Sequence, residues 1–123
     1  MDIYKHIIQE EEPHVVKTDL KTAEMIKYAQ NLYNATKISF TNEIWSVCQK
    51  LSINSDTVMG AVVKSAEGMW NSRYGIKGGY PYDGECLPKD TKGFLSYAKQ
   101  ELDIELPILE ATIKVNDSLE KNK

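Results

Sequence analysis

Hydrophobic side chains recur at helical spacing through the first half of the chain. From Asp19 to about Leu51 there is no glycine or proline, and the apolar steps place these residues on one helix face. A second apolar strip runs beside the first. Asp19 or Thr22 can cap the start of this helix. The first strip holds Ile26, Ala29, Tyr33, Phe40, Ile44, Val47 and Leu51, and the second holds Met25, Tyr28, Leu32 and Ala35.

Two interpretations of this long helix stay open. A helix of about thirty residues spans roughly 45–50 Å, which is long for a chain of 123 residues. Two apolar strips mean that it is covered on more than one side. It is either the central helix of a bundle, or part of its surface meets a second copy of the chain.

Shorter helices are predicted downstream. One starts near Asn54, where a capping residue and a first-turn acid are present, and runs to about Ala66. Another begins at Pro88–Thr91. Pro107 opens a last helix, whose predicted apolar face carries Ile108, Leu109, Thr112, Val115 and Leu119.

The first eighteen residues follow a different pattern. A short apolar helical piece is followed, after Pro13, by a β-like run over residues 14–17 that has no evident partner strand. The fold class predicted for the whole chain is all-α. One long central helix packs with shorter helices and a functional glycine-rich loop, and residues 1–18 form a short extended remnant of another domain.

Residues 67–88 form the predicted loop. They hold five of the seven glycines and two of the four prolines, interleaved with tyrosines, Trp70 and Arg73. A long ordered loop in a small domain is usually functional. A mobile insertion is the alternative, but the aromatic residues favour a loop that packs on something.

Composition excludes several function classes. Lysine plus arginine is 15 and aspartate plus glutamate is 18, so the net charge is −3 and no basic run is present for nucleic acid. No apolar run approaches the ~20 residues that span a membrane. Charged residues interrupt the N-terminus where a signal peptide needs an apolar stretch. Together with two cysteines that form no disulfide framework, these features predict a cytoplasmic protein.

Cys86 is the first candidate for chemistry. It precedes a predicted helix start, where free backbone N–H groups, the positive helix end and nearby lysines favour a thiolate. It is a candidate nucleophile, and an unreactive loop thiol is the alternative. Cys48 lies on the apolar strip of the long helix and is expected to be inert core. His6 and His14 have no neighbours at ligand spacing, so no metal site is predicted.

Four other polar residues are candidates. Lys27 and Asn31 stand four residues apart on one helix face, where they suit a developing oxyanion, although a solvated surface pair is the plainer interpretation. Asp90 follows Cys86 by four residues and is either a helix N-cap or a carboxylate that orients Lys27 or a water. Arg73 suits a phosphate but is equally a surface arginine.

Three separated segments of the sequence resemble the nucleotide-sugar 6-dehydrogenases, the UDP-glucose and GDP-mannose dehydrogenases. They are residues 23–31 (AEMIKYAQN), 37–43 (KISFTNE) and 84–90 (GECLPKD), and they occur in the family's order. The resemblance covers about Val15 to Asn116. Because three motifs recur in order, it is far more specific than any one of them.

The resemblance implies a place within a larger enzyme. Residues 1–18 correspond to the end of an NAD-binding domain, and residues 19–123 to a central helical domain that forms a homodimer through its long helix. The family oxidises a sugar C6 alcohol to a carboxylate with two NAD⁺, in polysaccharide biosynthesis. UDP-glucose to UDP-glucuronate is the expected conversion. The chain contains no GxGxxG turn after a strand and no phosphate-binding P-loop, so NAD would be bound mainly elsewhere.

The resemblance also implies residue roles. Cys86 corresponds to the nucleophile, Lys27 and Asn31 to the oxyanion pair, and Asp90 to the carboxylate that assists a water. Substrate contacts fall on Arg73, Tyr80, Tyr82 and Gly84, and a cofactor contact falls on Lys89. The loop departs from the family pattern where Pro81 and Asp83 replace glycines, and the Arg73-to-Cys86 spacing is shorter.

Two functions remain open at this point. The chain is a piece of a nucleotide-sugar dehydrogenase and is expected to be inactive when isolated, or it is a stand-alone dimerisation module derived from that family. The replaced glycines favour the module. The presence of Lys27, Asn31, Cys86 and Asp90 together favours the enzyme.

Overall fold

A computed structural model describes residues 19–121 of the chain, and these residues form an all-α structure without strands. The all-α prediction is therefore confirmed. The predictions for residues 1–18, including both histidines, lie outside the described residues. The five helices within these described residues are α1 (Leu20–Leu51), α2 (Ser55–Ser65), α3 (Glu67–Trp70), α4 (Cys86–Glu101) and α5 (Pro107–Lys121).

The long helix α1 is confirmed over its whole predicted length. Of the two possible caps, Asp19 takes the role: the Thr22 backbone N–H donates to Asp19 Oδ1 at 2.8 Å, and the Thr22 hydroxyl donates to Oδ2 at 3.1 Å. The backbone bond from Thr22, reinforced by the hydroxyl, lowers the pKa of the Asp19 carboxyl below its ordinary value. The charged form of Asp19 is thus the one that caps the helix.

The predicted cap of α2 is also confirmed. Asn54 Oδ1 accepts hydrogen bonds from the backbone N–H groups of Asp56 and Thr57, at 2.8 and 3.2 Å. The helix ends at Ser65, one residue before the expected end, and packs against α3. This short capped helix agrees with the sequence because both its start and its end depend on local chemistry.

The predicted loop over residues 67–88 is wrong at both ends. Glu67–Trp70 forms the short helix α3, and α4 begins at Cys86 rather than at Pro88. Proline is tolerated in the first turn of a helix because an N–H there has no acceptor within the helix. Pro88 therefore lies inside α4 and does not mark its first residue. The irregular segment is shortened to residues 71–85.

The core of the described structure is small. Val47, Ala98 and Leu106 are buried together where α1, α4 and the start of α5 meet, and Cys48 is buried beside them in α1. The burial of Cys48 confirms its predicted place in the core. Leu95, Leu102, Ile104 and Leu109 pack around this cluster and are partly buried.

Helix α5 begins at Pro107, as predicted, but its cap comes from a distant residue. Glu43 in α1 accepts hydrogen bonds from the backbone N–H groups of Ile108 at 2.8 Å and Leu109 at 3.0 Å. A carboxylate at a helix N-terminus satisfies unpaired donors and interacts favourably with the helix dipole. Glu43 thus ties α5 to α1.

The described chain divides into two compact units, one ending at Ser39 and the other beginning at Phe40. Within the first unit, the described residues form the first part of α1, and many of their large apolar side chains are exposed. These are Leu20, Met25, Ile26, Tyr28, Leu32, Tyr33 and Ile38. The second unit holds the small core. Among residues 19–121, no helix is both long and apolar enough to cross a membrane.

Candidate functional site

Cys86 is the first residue of α4, and its side chain is exposed. The preceding residue, Glu85, occupies the cap position, but its side chain makes no capping hydrogen bond. First-turn N–H groups have no acceptor within the helix, and they favour negative charge nearby. Cys86 is therefore the first residue of the helix and does not lie ahead of it as predicted.

Asp90 lies one turn further along α4, on the same face as Cys86. The interpretation of Asp90 as a helix N-cap is wrong, because α4 begins four residues before it. Its side chain is exposed, and it stands at the edge of an apolar pocket. The structure thus brings Cys86 and Asp90 together on one helix.

The loop before Cys86 is held by a residue that sequence reasoning missed. Asn116 in α5 accepts a hydrogen bond from the Tyr82 backbone N–H at 2.7 Å, and its amide donates to the Tyr82 carbonyl at 3.1 Å. Val115 was predicted to face inward, and this is wrong because it is 64% exposed. Asn116 takes the inward position instead. Asn116 follows Thr112 by one helical turn, and Thr112 was predicted to lie on the inward face. This spacing was the available indication in the sequence that Asn116 faces inward.

The end of this loop depends on Gly84. Its φ of +85° lies in the left-handed region, which side chains disfavour. Apart from Gly84 and its two chain neighbours, nothing lies within 4 Å of the position that a Cβ would take, so the need for glycine comes from the backbone and not from crowding. The chain turns at Gly84 and enters α4 two residues later.

The earlier part of the loop is much more exposed than Tyr82. Tyr80 is 68% exposed, and its ring has the Lys77 Nζ at 5.6 Å from the centroid. Tyr74 in the loop and Trp70 at the end of α3 are also exposed. The Arg73 side chain is exposed, while its backbone N–H donates to Asn71 Oδ1 at 3.1 Å. The aromatic residues were expected to pack against the protein. This expectation therefore holds for the half-buried Tyr82 and not for Trp70, Tyr74 and Tyr80.

Lys27 and Asn31 both lie in α1 at the predicted four-residue spacing, which puts them on one face. Lys27 is half-buried and Asn31 is exposed. They belong to the first unit, whereas Cys86 and Asp90 belong to the second. The structure therefore describes two pairs of candidate residues, each pair presented by a single helix.

An apolar pocket of about 300 Å³ opens in the second unit between α1, α4 and α5. Asp90 is one of its few charged lining residues, and the other acid, Glu43, is occupied with capping α5. Residues 19–121 contain no cluster of histidine, cysteine or acidic side chains able to hold a metal ion. The remaining lining residues are Phe40, Ile44, Val47, Thr91, Phe94, Leu106, Ile108, Leu109 and Thr112.

Comparison with known proteins identifies the family. Residues 21–118 match the UDP-glucose/GDP-mannose dehydrogenase family, central domain. The chain belongs to this family. The match runs from the start of α1 almost to the end of α5, so the five helices that the structure describes lie wholly or largely within it. The resemblance found in the sequence motifs is thereby confirmed.

Curated relatives of the family are similar along most of the chain. A GDP-mannose 6-dehydrogenase of Pseudomonas savastanoi pv. phaseolicola is 32% identical over 121 residues, which is 98% of this chain and 27% of the relative. The UDP-glucose 6-dehydrogenase YwqF of Bacillus subtilis is 42% identical over 105 residues, 85% of this chain and 23% of the relative. The chain thus spans about a quarter of the length of these relatives. No solved structure gives a significant match.

Proposed function

We propose that this chain acts as the central domain of an NAD-dependent nucleotide-sugar 6-dehydrogenase. The reaction oxidises the sugar C6 alcohol to a carboxylate, and UDP-glucose to UDP-glucuronate is the proposed conversion. The observation that carries the proposal is the exposed Cys86 thiol at the first residue of α4, in a chain of this family. Residues 1–18 are proposed to end the NAD-binding domain, and residues 19–123 to form the central domain.

The proposed chemistry runs through the Cys86 sulfur. The Cys86 thiolate attacks the C6 aldehyde carbon, forming a C–S bond and a thiohemiacetal whose oxygen takes up a proton. Loss of a hydride from C6 and of that proton gives a thioester. Water then attacks the thioester carbon, the C–S bond breaks, and the carboxylate leaves with the thiol restored. Bound NAD⁺ supplies the hydride acceptor for each of the two oxidations.

The other polar candidates have matching roles in this proposal. Lys27 and Asn31 donate hydrogen bonds to the oxygen at C6 as negative charge develops there. Asp90, one turn from Cys86 on α4, accepts a proton from the water that opens the thioester. These roles fit the placement of the side chains, because Lys27 shares a helix face with Asn31 and Asp90 shares one with Cys86.

Substrate and cofactor contacts are proposed for the loop and the first turn of α4. Arg73 suits a phosphate of the nucleotide sugar, and Tyr80 and Gly84 suit the sugar itself. The Tyr82 N–H is already bonded to Asn116, so Tyr82 would contribute through its ring. Lys89 offers an exposed ammonium for an NAD phosphate. Because no glycine-rich dinucleotide turn is present, the rest of the NAD contacts would come from the NAD-binding domain.

We also propose that the domain forms a homodimer through α1 and works in the cytoplasm. The exposed large apolar side chains of the first unit support the dimer, because exposed apolar surface in this amount is typical of an interaction site. Light scattering over micromolar concentrations is expected to give twice the chain's mass of 14.0 kDa. A monomer mass throughout would contradict the dimer.

The decisive test changes Cys86 in the whole enzyme. Cys86→Ser is expected to lower formation of the carboxylate product from the nucleotide sugar by at least about a thousandfold, because the nucleophile of the second oxidation is lost. Cys48→Ser serves as the control, because Cys48 has no proposed role in the reaction. Its effect on folding is measured as well, since Cys48 is buried. Full activity of the Cys86 variant would rule out its role. The 123-residue chain by itself is expected to reduce no NAD⁺ with UDP-glucose or GDP-mannose.

A stand-alone dimerisation module is the second candidate. Pro81 and Asp83, which replace family glycines in the loop, favour it. The alkylation rate of Cys86 in the isolated chain separates the two candidates. A rate faster than that of a small free thiol near neutral pH supports the enzyme, and an ordinary rate supports the module.

A further inference from the structure

Asn116 is the one polar side chain that the described residues bury almost completely, with 5% of its surface exposed. Its amide oxygen accepts from the Tyr82 N–H and its amide nitrogen donates to the Tyr82 carbonyl. One side chain thus bonds both polar groups of a single backbone residue. Burying an amide is costly unless its hydrogen bonds are made, so this pair defines a preferred position for Tyr82.

The segment between Tyr82 and Cys86 has little remaining freedom. Tyr82 is anchored by Asn116, and the Tyr82 hydroxyl lies 3.5 Å from the Thr91 hydroxyl on α4. Gly84 makes the left-handed turn, and α4 begins at Cys86. Holding Tyr82 at one end of this segment therefore restricts the path by which the chain enters the first turn of α4 at Cys86.

The helix that carries Asn116 is held in place by its contacts with two other helices. It lies in α5, which packs against α4, and the N-terminus of α5 is capped by Glu43 of α1. The amide that holds the loop therefore belongs to a helix that is tied to the core of the second unit. The hydrogen bonds of Asn116 therefore fix the Tyr82 end of the loop relative to this core.

We propose that Asn116 is a positioning residue, which sets the place of the Cys86 thiol by holding the backbone of Tyr82. The role of that thiol as a nucleophile rests on the function proposed above, but the placement itself does not. Removal of the Asn116 amide leaves the Tyr82 N–H and carbonyl without these partners and releases the segment that leads into α4.

The test attaches a fluorine probe to Cys86 in the 123-residue chain with bromotrifluoroacetone, and compares the ¹⁹F spectra of the variants. Because Cys48 is buried and Cys86 is exposed, native labelling is expected at Cys86. The wild-type chain should give one resonance displaced from the free adduct. Asn116→Ala should reduce this displacement by about half or more and increase hydrogen exchange at the Tyr82 amide about tenfold.

Two matched variants separate positioning from a general loss of stability. Leu109→Ala weakens the packing of the same helix without removing either hydrogen bond, and it should leave the ¹⁹F displacement unchanged. Asn116→Asp keeps an acceptor for the Tyr82 N–H but offers no donor when ionised, so it should retain part of the displacement. A displacement unchanged in Asn116→Ala, or lost equally in Leu109→Ala, would overturn the proposal.

The same labelled protein distinguishes the two proposals. A wild-type Cys86 that reacts no faster than a free thiol counts against the nucleophile, and the ¹⁹F displacement still reports on Asn116. If Cys86 reacts fast but its ¹⁹F displacement is unchanged in Asn116→Ala, the result supports the nucleophile and rejects the positioning role. Circular dichroism of each variant confirms that the helices are formed before the spectra are compared.

Discussion

The two parts of α1 on either side of Ser39 have similar apolar patterns but different surroundings. In the part from Phe40 onward, Val47 and Cys48 are 5% exposed, and Glu43 caps α5. In the part before it, Leu32 is 58% exposed and Ile38 is 64% exposed. A helical pattern therefore identifies which residues share a face, but not what covers that face.

The contrast arises because the two parts of α1 have different neighbouring helices among the described residues. The later part of α1 meets α4 and α5, which follow it in the sequence and bring Ala98 and Leu106 to the same cluster. Among the described residues of the first unit there is one helix, and a single helix cannot bury its own apolar side chains. A second copy of the chain would supply the missing surface.

The largest expected effect is in the core of the second unit. Leu106→Ala removes a fully buried side chain, 1% exposed, and should lower the free energy of unfolding by about 3 kcal/mol. Leu32→Ala, at a concentration where the chain is monomeric, should change it by less than about 0.5 kcal/mol. Urea denaturation followed by circular dichroism measures both. Equal losses would remove the distinction between the two parts of α1.

The next effect concerns self-association. Leu32→Asp places a charge on the exposed apolar face of the first unit and should weaken the proposed dimer at least about tenfold, because an unpaired carboxylate would be buried in the contact. Asn34→Asp introduces the same charge at an exposed position away from both apolar strips of α1 and serves as the control. Sedimentation equilibrium gives both dissociation constants. If the two variants dimerise equally well, the contact lies elsewhere.

A smaller effect is expected at the cap of α5. Glu43→Gln removes the charge and one of two carboxylate acceptors, and it should cost about 1–2 kcal/mol of folding free energy. Glu24→Gln makes the identical change in the first part of α1 and should cost less than about 0.5 kcal/mol. Thermal unfolding of both variants gives the comparison. A Glu43 variant as stable as the wild type would mean that neither the charge nor the second acceptor of Glu43 stabilises the fold.

The smallest effect is at the exposed start of α1. Since the Asp19 pKa is lowered in the folded chain, its cap stabilises the helix above the unfolded pKa, and this is lost as the pH falls through the folded value. An NMR titration should show the Thr22 amide shift changing with a midpoint below the ordinary 3.8. Asp19→Asn should abolish this titration. A midpoint at or above 3.8 would contradict the cap.

Local chemistry made several elements predictable from the sequence. Asp19 and Asn54 cap the helices that follow them, and Pro107 opens the last one, because each acts on the backbone within three residues of itself. The place of Cys86 near a helix start was predictable for the same reason, because a helix start is a local feature. Its exact place was missed because Pro88 lies inside the first turn of α4.

Contacts between distant residues were not predictable in this way. Glu43 and Ile108 are 65 residues apart, and Tyr82 and Asn116 are 34 apart. Nothing in either local sequence pairs them. Asn116 stood on a mixed face of α5, where Val115 was the more apolar choice for the inward position. The rotation of α5 against α4 decided which of these two neighbours was buried.

The sequence by itself determined that the chain is helical, that it belongs with the nucleotide-sugar dehydrogenases, and which side chains are candidates for the chemistry. Periodicity, caps and motifs specify these because they depend on neighbouring residues. The tertiary structure alone decided that α1 has a packed part and an exposed part, and that Asn116 holds the loop before Cys86. Both depend on which helices meet, and burial is set only when they do.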